Sequence, residues 1–156
     1  RGGPGAEPPG GPGQRPGERA KGGAGSATPR VTPMAHWRDG TGTLLIGTTA
    51  VPLEVAASYR ARTRGLLGRD GVEGALLLTP AGSVHTFRMR FPIDVAYLDR
   101  RMRVIALTTM PPGRLGLPRL RSRHVLEAEA GAMARWGLTV GSTVTVSTGG
   151  PPGPGR

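Results

Sequence analysis

Ile93-Asp94-Val95-Ala96-Tyr97-Leu98, then Asp99-Arg100-Arg101, then Met102-Arg103-Val104-Ile105-Ala106-Leu107-Thr108-Thr109, is the stretch on which the fold turns. Two runs rich in β-branched and aromatic residues, separated by a short polar break, predict an antiparallel hairpin. In the first run Ile93, Val95 and Tyr97 share one face, while Ala96 and Leu98 lie on the other. A strand that is apolar on both faces is covered on both sides, so the sheet should be closed or strongly curled.

Working outward, Thr43–Ile46 and Val51–Val55 flank Gly47-Thr48-Thr49 and predict a second hairpin. Ser58 is placed to cap a short, arginine-rich helix over Tyr59–Leu67, with Gly68 as its stop. Gly74–Thr79 reads as a buried strand closed by Pro80-Ala81-Gly82, and Val84–Arg88 as another, interrupted before Pro92. Met110–Ser122 is rich in Pro, Gly and Arg and reads as a loop of about 13 residues, a length usually tied to function or mobility. Arg123–Glu129 predicts a strand and Ala130–Trp136 a short helix stopped by Gly137, with Leu138 making the apolar contact after it. Thr143–Ser147 predicts the last strand. The fold class is therefore mainly β (α+β): a small barrel-like, largely antiparallel sheet of about seven or eight short strands with two short helices.

Composition sets the outer limits. Residues 1–33 hold 10 Gly and 7 Pro and residues 149–156 hold 4 Gly and 3 Pro, against 13 Gly and 6 Pro in residues 34–148. Segments so poor in apolar side chains cannot offset the entropy of ordering their backbone, so both flanks are expected to be disordered tails around one domain over 36–148. The chain opens on Arg1, and its first methionine is Met34, which predicts that 1–33 is an upstream extension. Cysteine is absent, which excludes disulfides, thiolate catalysis and cysteine metal sites. The longest apolar runs, such as Ala75–Leu78, fall far short of the roughly 20 residues of a spanning helix. A soluble, cytoplasmic protein without a membrane partner is the expectation. Of the net charge of +11, residues 34–148 carry fifteen arginines against eight acids. Only Lys21 among the basic residues is lysine, so part of that charge reads as codon usage.

The order Arg64-Gly65-Leu66-Leu67-Gly68-Arg69, then Thr86-Phe87-Arg88-Met89-Arg90-Phe91-Pro92-Ile93-Asp94, continuing to Asp99, then Val125-Leu126-Glu127-Ala128-Glu129-Ala130-Gly131 and Gly141, resembles the bacterial and archaeal family called domain of unknown function 192. The resemblance spans roughly Leu53 to Val146, and Met89–Asp99 is its most specific part. Leu67 stands where family members often have Met, a swap that conserves volume. The resemblance implies a small β-rich fold and no assigned activity, substrate or cofactor. Its signature residues here are Arg69, Phe87, Arg88, Met89, Asp94, Asp99 and Glu127.

Buried carboxylates need partners. Asp94, in an apolar strand, reads first as a structural acid held by backbone N–H groups or by Arg69, Arg88 or Arg90, and second as a site carboxylate. Glu127 receives the same two readings, and Asp99 reads as a turn residue with a side-chain bond to the backbone. His36, His85 and His124 lack the mutual spacing of metal ligands, so neither a metal nor another cofactor is expected; a His85–His124–Glu127 site would need the fold to assemble it. Ser83 and Ser122 each precede a histidine by two residues without a nucleophile elbow. Phe87 and Met89 read first as a core pair and second as a ligand groove. Arg114, Arg119, Arg121 and Arg123 could contact a polyanion, but no aromatic residue stands among them for base stacking, so nucleic acid is not the favoured partner.

Three functions follow. The favoured one is a non-catalytic binding or accessory module for a small molecule or protein, with a groove near the Phe87–Asp94 corner and the Met110–Ser122 loop. The second is a small enzyme using Asp94, Glu127 and His85 as acid–base groups, which requires them to converge in one pocket. The third is an electrostatic polyanion binder.

Overall fold

The computed structural model describes residues 37–148. The expected tails, the Met34 start and His36 lie outside them. Nine elements follow one another: β1 (Gly40–Ile46), β2 (Thr49–Ala56), α1 (Tyr59–Arg64), β3 (Ala75–Leu78), β4 (Ile93–Leu98), β5 (Val104–Met110), β6 (His124–Glu129), α2 (Ala132–Arg135) and β7 (Thr145–Thr148). The strands form one seven-stranded sheet in the order β5-β4-β6-β3-β2-β1-β7. Every pairing is antiparallel except β2–β3. The connection through α1 permits that exception, since parallel neighbours need a crossover.

Strand β4 is buried along its whole length, as its two apolar faces require. One face joins Leu44, Leu53, Leu77, Leu98, Leu126 and Met133 in a first core. The other joins Leu66, Leu78, Val84, Met89, Tyr97 and Val125 in a second. Strands far apart in the sheet order meet in the first core, so the sheet curls around it. The curl does not complete a barrel. Beyond the named strands, the two edges are joined by a single bridge between Arg103 and Thr143, reinforced by Val104 N–H to Ser142 O at 2.8 Å and Val144 N–H to Met102 O at 3.0 Å. The expected barrel-like closure is therefore partial: β7 is mostly exposed and contributes too little apolar surface to seal the seam.

The second core lies outside the curl and needs a cover. Helix α1 supplies part of it. Ser58 caps that helix, its hydroxyl accepting from Ala61 N–H at 3.1 Å, and Asp39 fixes the cap by accepting from Ser58 N–H and Oγ–H. These bonds hold the Asp39 carboxyl below its ordinary range. The helix ends at Arg64, earlier than the expected Leu67, because Gly65 leaves the helical region and closes on Ala61 O. Leu66 is then buried by the turns that follow.

Residues 84–91 supply the rest of the cover, and they do not form the expected strand over Val84–Arg88. Only His85 makes a bridge, to Leu115. The chain turns at Thr86, where Met89 N–H reaches Thr86 O, and Arg88 takes φ 59°. That geometry splits the expected core pair: Met89 is buried, whereas Phe87 is 46% exposed.

Candidate functional site

Asp94 and Glu127 sit on neighbouring central strands but point away from each other. In the β4–β6 register Asp94 faces Ala128 and Val95 faces Glu127. Adjacent residues of a strand project to opposite faces, so the two carboxyls lie on opposite sides of the sheet. An acid–base pair built from them, as the enzyme reading requires, is not assembled. His124 likewise lies across the sheet from Glu127, its Nδ1 2.7 Å from Thr79 Oγ1 and its ring edge-on to Trp37. Burial first, and Arg123 second, hold the His124 ring below its usual pKa. Among the described residues no group of three His, Cys, Asp or Glu is placed to hold a metal ion.

Asp94 is fully engaged in bonds. One oxygen accepts from Thr109 Oγ1 at 2.7 Å, and the other from the backbone N–H of Gly131 at 2.9 Å and Met133 at 3.2 Å. Gly131 caps α2 without a side chain of its own, so β4 supplies the carboxylate that satisfies this helix end. No arginine takes part. Arg69 forks onto Glu54 instead, with Nη–O distances of 2.6 and 3.1 Å. The guanidinium lowers the Glu54 pKa, and the carboxylate raises that of Arg69. Arg90 reaches Asp70 at 3.1 Å, and Arg88 is exposed. Asp99 accepts from the N–H groups of Arg101 and Arg103 and fixes the β4–β5 turn.

Glu127 differs from every other acid in the described residues. It is 6% exposed, stands in the second core, and has no hydrogen-bond partner there. Burial alone pushes its carboxyl up to about 7. It lines a pocket of about 80 Å³ with apolar side chains (Leu66, Leu67, Leu78, Val84, Met89), with His85 and Ser83 towards solvent, and with Arg62, Thr63 and Arg64 from α1. The Arg62 guanidinium is held by a bond from Nη1 to Pro80 O at 2.8 Å. Its Nε–H is buried without a partner. Among the described residues no hydrogen bond to the Glu127 carboxyl is found, so the partner expected of this strand acid is not seen there. A larger cleft of about 320 Å³ lies between the start of β2, residues 72–74 and α2, but its acids, Glu73 and Glu129, are solvent-exposed.

Beside the pocket, residues 110–122 form the long loop expected from their Pro, Gly and Arg content, and it is pinned into a ledge. Thr86, with no exposed surface, latches it. The Thr86 hydroxyl donates to Pro111 O at 2.7 Å and accepts from Arg114 N–H at 2.8 Å. Its backbone bonds Arg114 O and Gly113 N–H, each at 2.7 Å, and Gly116 N–H reaches Val84 O at 2.7 Å. Along this pinned ledge Leu115, Leu117 and Leu120 stand 69%, 78% and 102% exposed. Phe87, also exposed, stacks on His85 with centroids 5.2 Å apart, and His85 in turn bridges Leu115. Arg114, Arg119 and Arg121 rise from the same ledge and are exposed, and Arg119 lies 5.1 Å over the Tyr97 ring. Arg123 sits at its end, tied by its N–H to Leu98 O. Ser122 spends its hydroxyl on Ala81 O and His124 O and serves no histidine ring.

Comparison with known proteins places this arrangement. The chain is 31% identical over 84 residues to a UPF0127 protein of Pyrococcus horikoshii, covering 51% of this chain and 73% of that protein. It is 27% identical over 97 residues to a UPF0127 protein of Pyrococcus abyssi, covering 59% and 83%. A crystal structure of a protein of unknown function from Novosphingobium aromaticivorans has the same fold, with TM-score 0.59, 23% identity, and coverage of 77% of this chain and 94% of that one. Residues 43–146 match the family model described as Uncharacterized ACR, domain of unknown function 192, and the chain belongs to that family.

Proposed function

We propose that the protein is a non-catalytic binding module, and that the ledge over residues 110–122 with Phe87 is the surface it offers to a protein partner of opposite charge. The observation that carries this reading is the pinning of exposed leucines by Thr86. A mobile loop hides or disperses its apolar side chains, whereas a ledge held by several bonds of 2.7–2.8 Å presents them in fixed positions. Such preorganisation lowers the ordering cost of association. Contiguous exposed apolar surface rimmed by charge is the usual mark of a contact site. From Arg100 to Leu126 the sequence has seven arginines and no acid, so the complementary surface is acidic.

A photo-crosslinking residue at Leu117, in the source cell, tests it. One discrete protein adduct is expected, lost when Leu120→Glu and Arg121→Glu are added. Absence of an adduct, or one that survives those changes, would overturn the reading. Retention on heparin beyond about 0.2 M salt without a protein adduct would favour the polyanion reading instead.

A further inference from the structure

Strand β5 is one edge of the sheet, and β4 is its only neighbouring strand. Successive residues of a paired strand aim their N–H and C=O groups at opposite neighbours. Ala130 N–H reaches Pro92 O at 3.3 Å, so Ala128 and Leu126, two and four residues back, also face β4. Their partners Asp94 and Ala96 therefore face β6, which leaves Ile93, Val95 and Tyr97 facing β5. Opposite these three stand Met110, Thr108 and Ala106. Leu107 and Thr109, between them, aim their N–H and C=O groups off the sheet. Among the described residues no backbone bond reaches those four groups. Leu107 is half-buried and Thr109 exposed. At the start of the strand the edge is already taken, since Val104 bonds Ser142 O and Gly141 N–H, each at 2.8 Å. The open part ends at Pro111, which has no N–H to offer.

Folds usually guard such an edge with charge, proline or brevity. The opposite edge, β7, is four residues long and carries Thr and Ser. Strand β5 has seven residues, with half-buried Ile105, Ala106 and Leu107, and no charge occurs from Val104 to Gly113. Arg103 precedes that neutral run and Arg114 follows it. We propose that the open edge of β5 takes up an extended, acid-flanked segment of a protein partner as an eighth strand, bonded to Leu107 and Thr109. This rests on the reading of the protein as a module for an acidic protein partner, and it names how that partner is held; β5 leads directly into the ledge at Met110. A second copy fits less well. Two β5 strands paired antiparallel would set the arginine before one neutral run beside the arginine after the other, and like charges across a strand pair are destabilising.

The test mixes the full ¹⁵N-labelled chain with the probe peptide acetyl-Asp-Glu-Val-Thr-Val-Thr-Val-Asp-Glu-amide and follows amide hydrogen exchange. In the free chain Leu107 and Thr109 should exchange fast. With the peptide they should slow at least tenfold, while Thr108 and Met110, bonded to β4 throughout, gain less. The same peptide N-methylated at its five central residues, or with Lys in place of every acid, should give no protection. Equal protection by either control overturns the proposal, and so does no response to the acidic peptide. Protection in the peptide-free chain overturns it too; if that protection grows with protein concentration, a second copy holds the edge. Leu107→Pro removes an outward N–H and no bond to β4, and it should weaken the Leu117 crosslink at least tenfold. An undiminished crosslink in that variant overturns strand addition and leaves the ledge reading standing. If the variant does not fold, the N-methylated peptide supplies the comparison.

Discussion

Glu127 shows how one residue can matter more than its surroundings suggest. The unfolded chain holds this carboxyl near 4.5, and the folded one raises it to about 7 because burial opposes the charge. Between those values the folded state keeps a proton that the unfolded state has released. Stability is therefore complete below about 4.5, falls as pH rises through the window, and is lowest above 7, by up to about 3 kcal/mol. His124 acts in the other sense. Its lowered pKa means that the unfolded chain takes up a proton the folded one refuses, so its contribution is lost on acidification below about 6.5. Denaturant melts of wild type and Glu127→Leu from pH 4 to 8 separate the two. The variant should gain most above pH 7 and keep the His124 slope, with Glu54 and Asp39 adding a fall only below about pH 4.5. Superimposable profiles would show that Glu127 is ionised at no cost, contrary to its packing. Asp94 makes the contrast clear, because an equally buried acid on the next strand is satisfied by three donors. Sequence parity alone distinguishes neither acid, since what matters is which donors the fold brings to each.

At the scale of elements, the ledge depends on a glycine. A Cβ at Gly116 would lie 2.7 Å from the Tyr97 hydroxyl and 2.9 Å from Val84 O. The second of these is backbone and cannot yield cheaply. Gly116→Ala should therefore break the Gly116–Val84 bond and cost about 1–3 kcal/mol, the usual range for overpacking. Limited trypsin digestion reads it directly. The pinned wild-type ledge should resist cleavage at Arg114, Arg119 and Arg121 despite their exposure, and the variant should be nicked there first. Equal resistance in both would mean that the Thr86 latch suffices alone. The same elements show what was legible beforehand. The β4–β5 hairpin was readable from Ile93 to Thr109 because its signal is local: alternating apolar faces and an Asp at the turn. The Ser58 cap and the Gly137 stop were readable for the same reason. Residues 84–88 were misread because Val-His-Thr-Phe-Arg carries strand propensity, while the bonds that decide its shape come from Pro111 and Arg114, some 25 residues on. Propensity yields to such contacts where a buried polar side chain like Thr86 bonds the backbone of a distant segment.

For the whole molecule, the incomplete curl sets a gradient of stability. Strands β4 and β6 are buried and paired on both sides, whereas β7 is an exposed edge. Native-state hydrogen exchange should find the amides of β4 and β6 opening only with global unfolding and those of β7 opening first. Protection in β7 equal to that in β6 would show that the seam at Arg103 and Thr143 closes as a full ladder in solution. What the amino-acid order determined by itself is the class of object: short strands with apolar faces, two short helices and a Cys-free interior, together with the motifs between Arg64 and Gly141 by which the chain resembles its family. Periodicity and turn chemistry are properties of neighbours in the chain. The tertiary structure alone decided the rest: that Asp94 caps a helix 37 residues away, that the 110–122 loop is pinned, and that Arg62 and Glu127 line one pocket. Those outcomes depend on which donors and acceptors meet once the sheet has curled, and no local pattern encodes a meeting between distant residues.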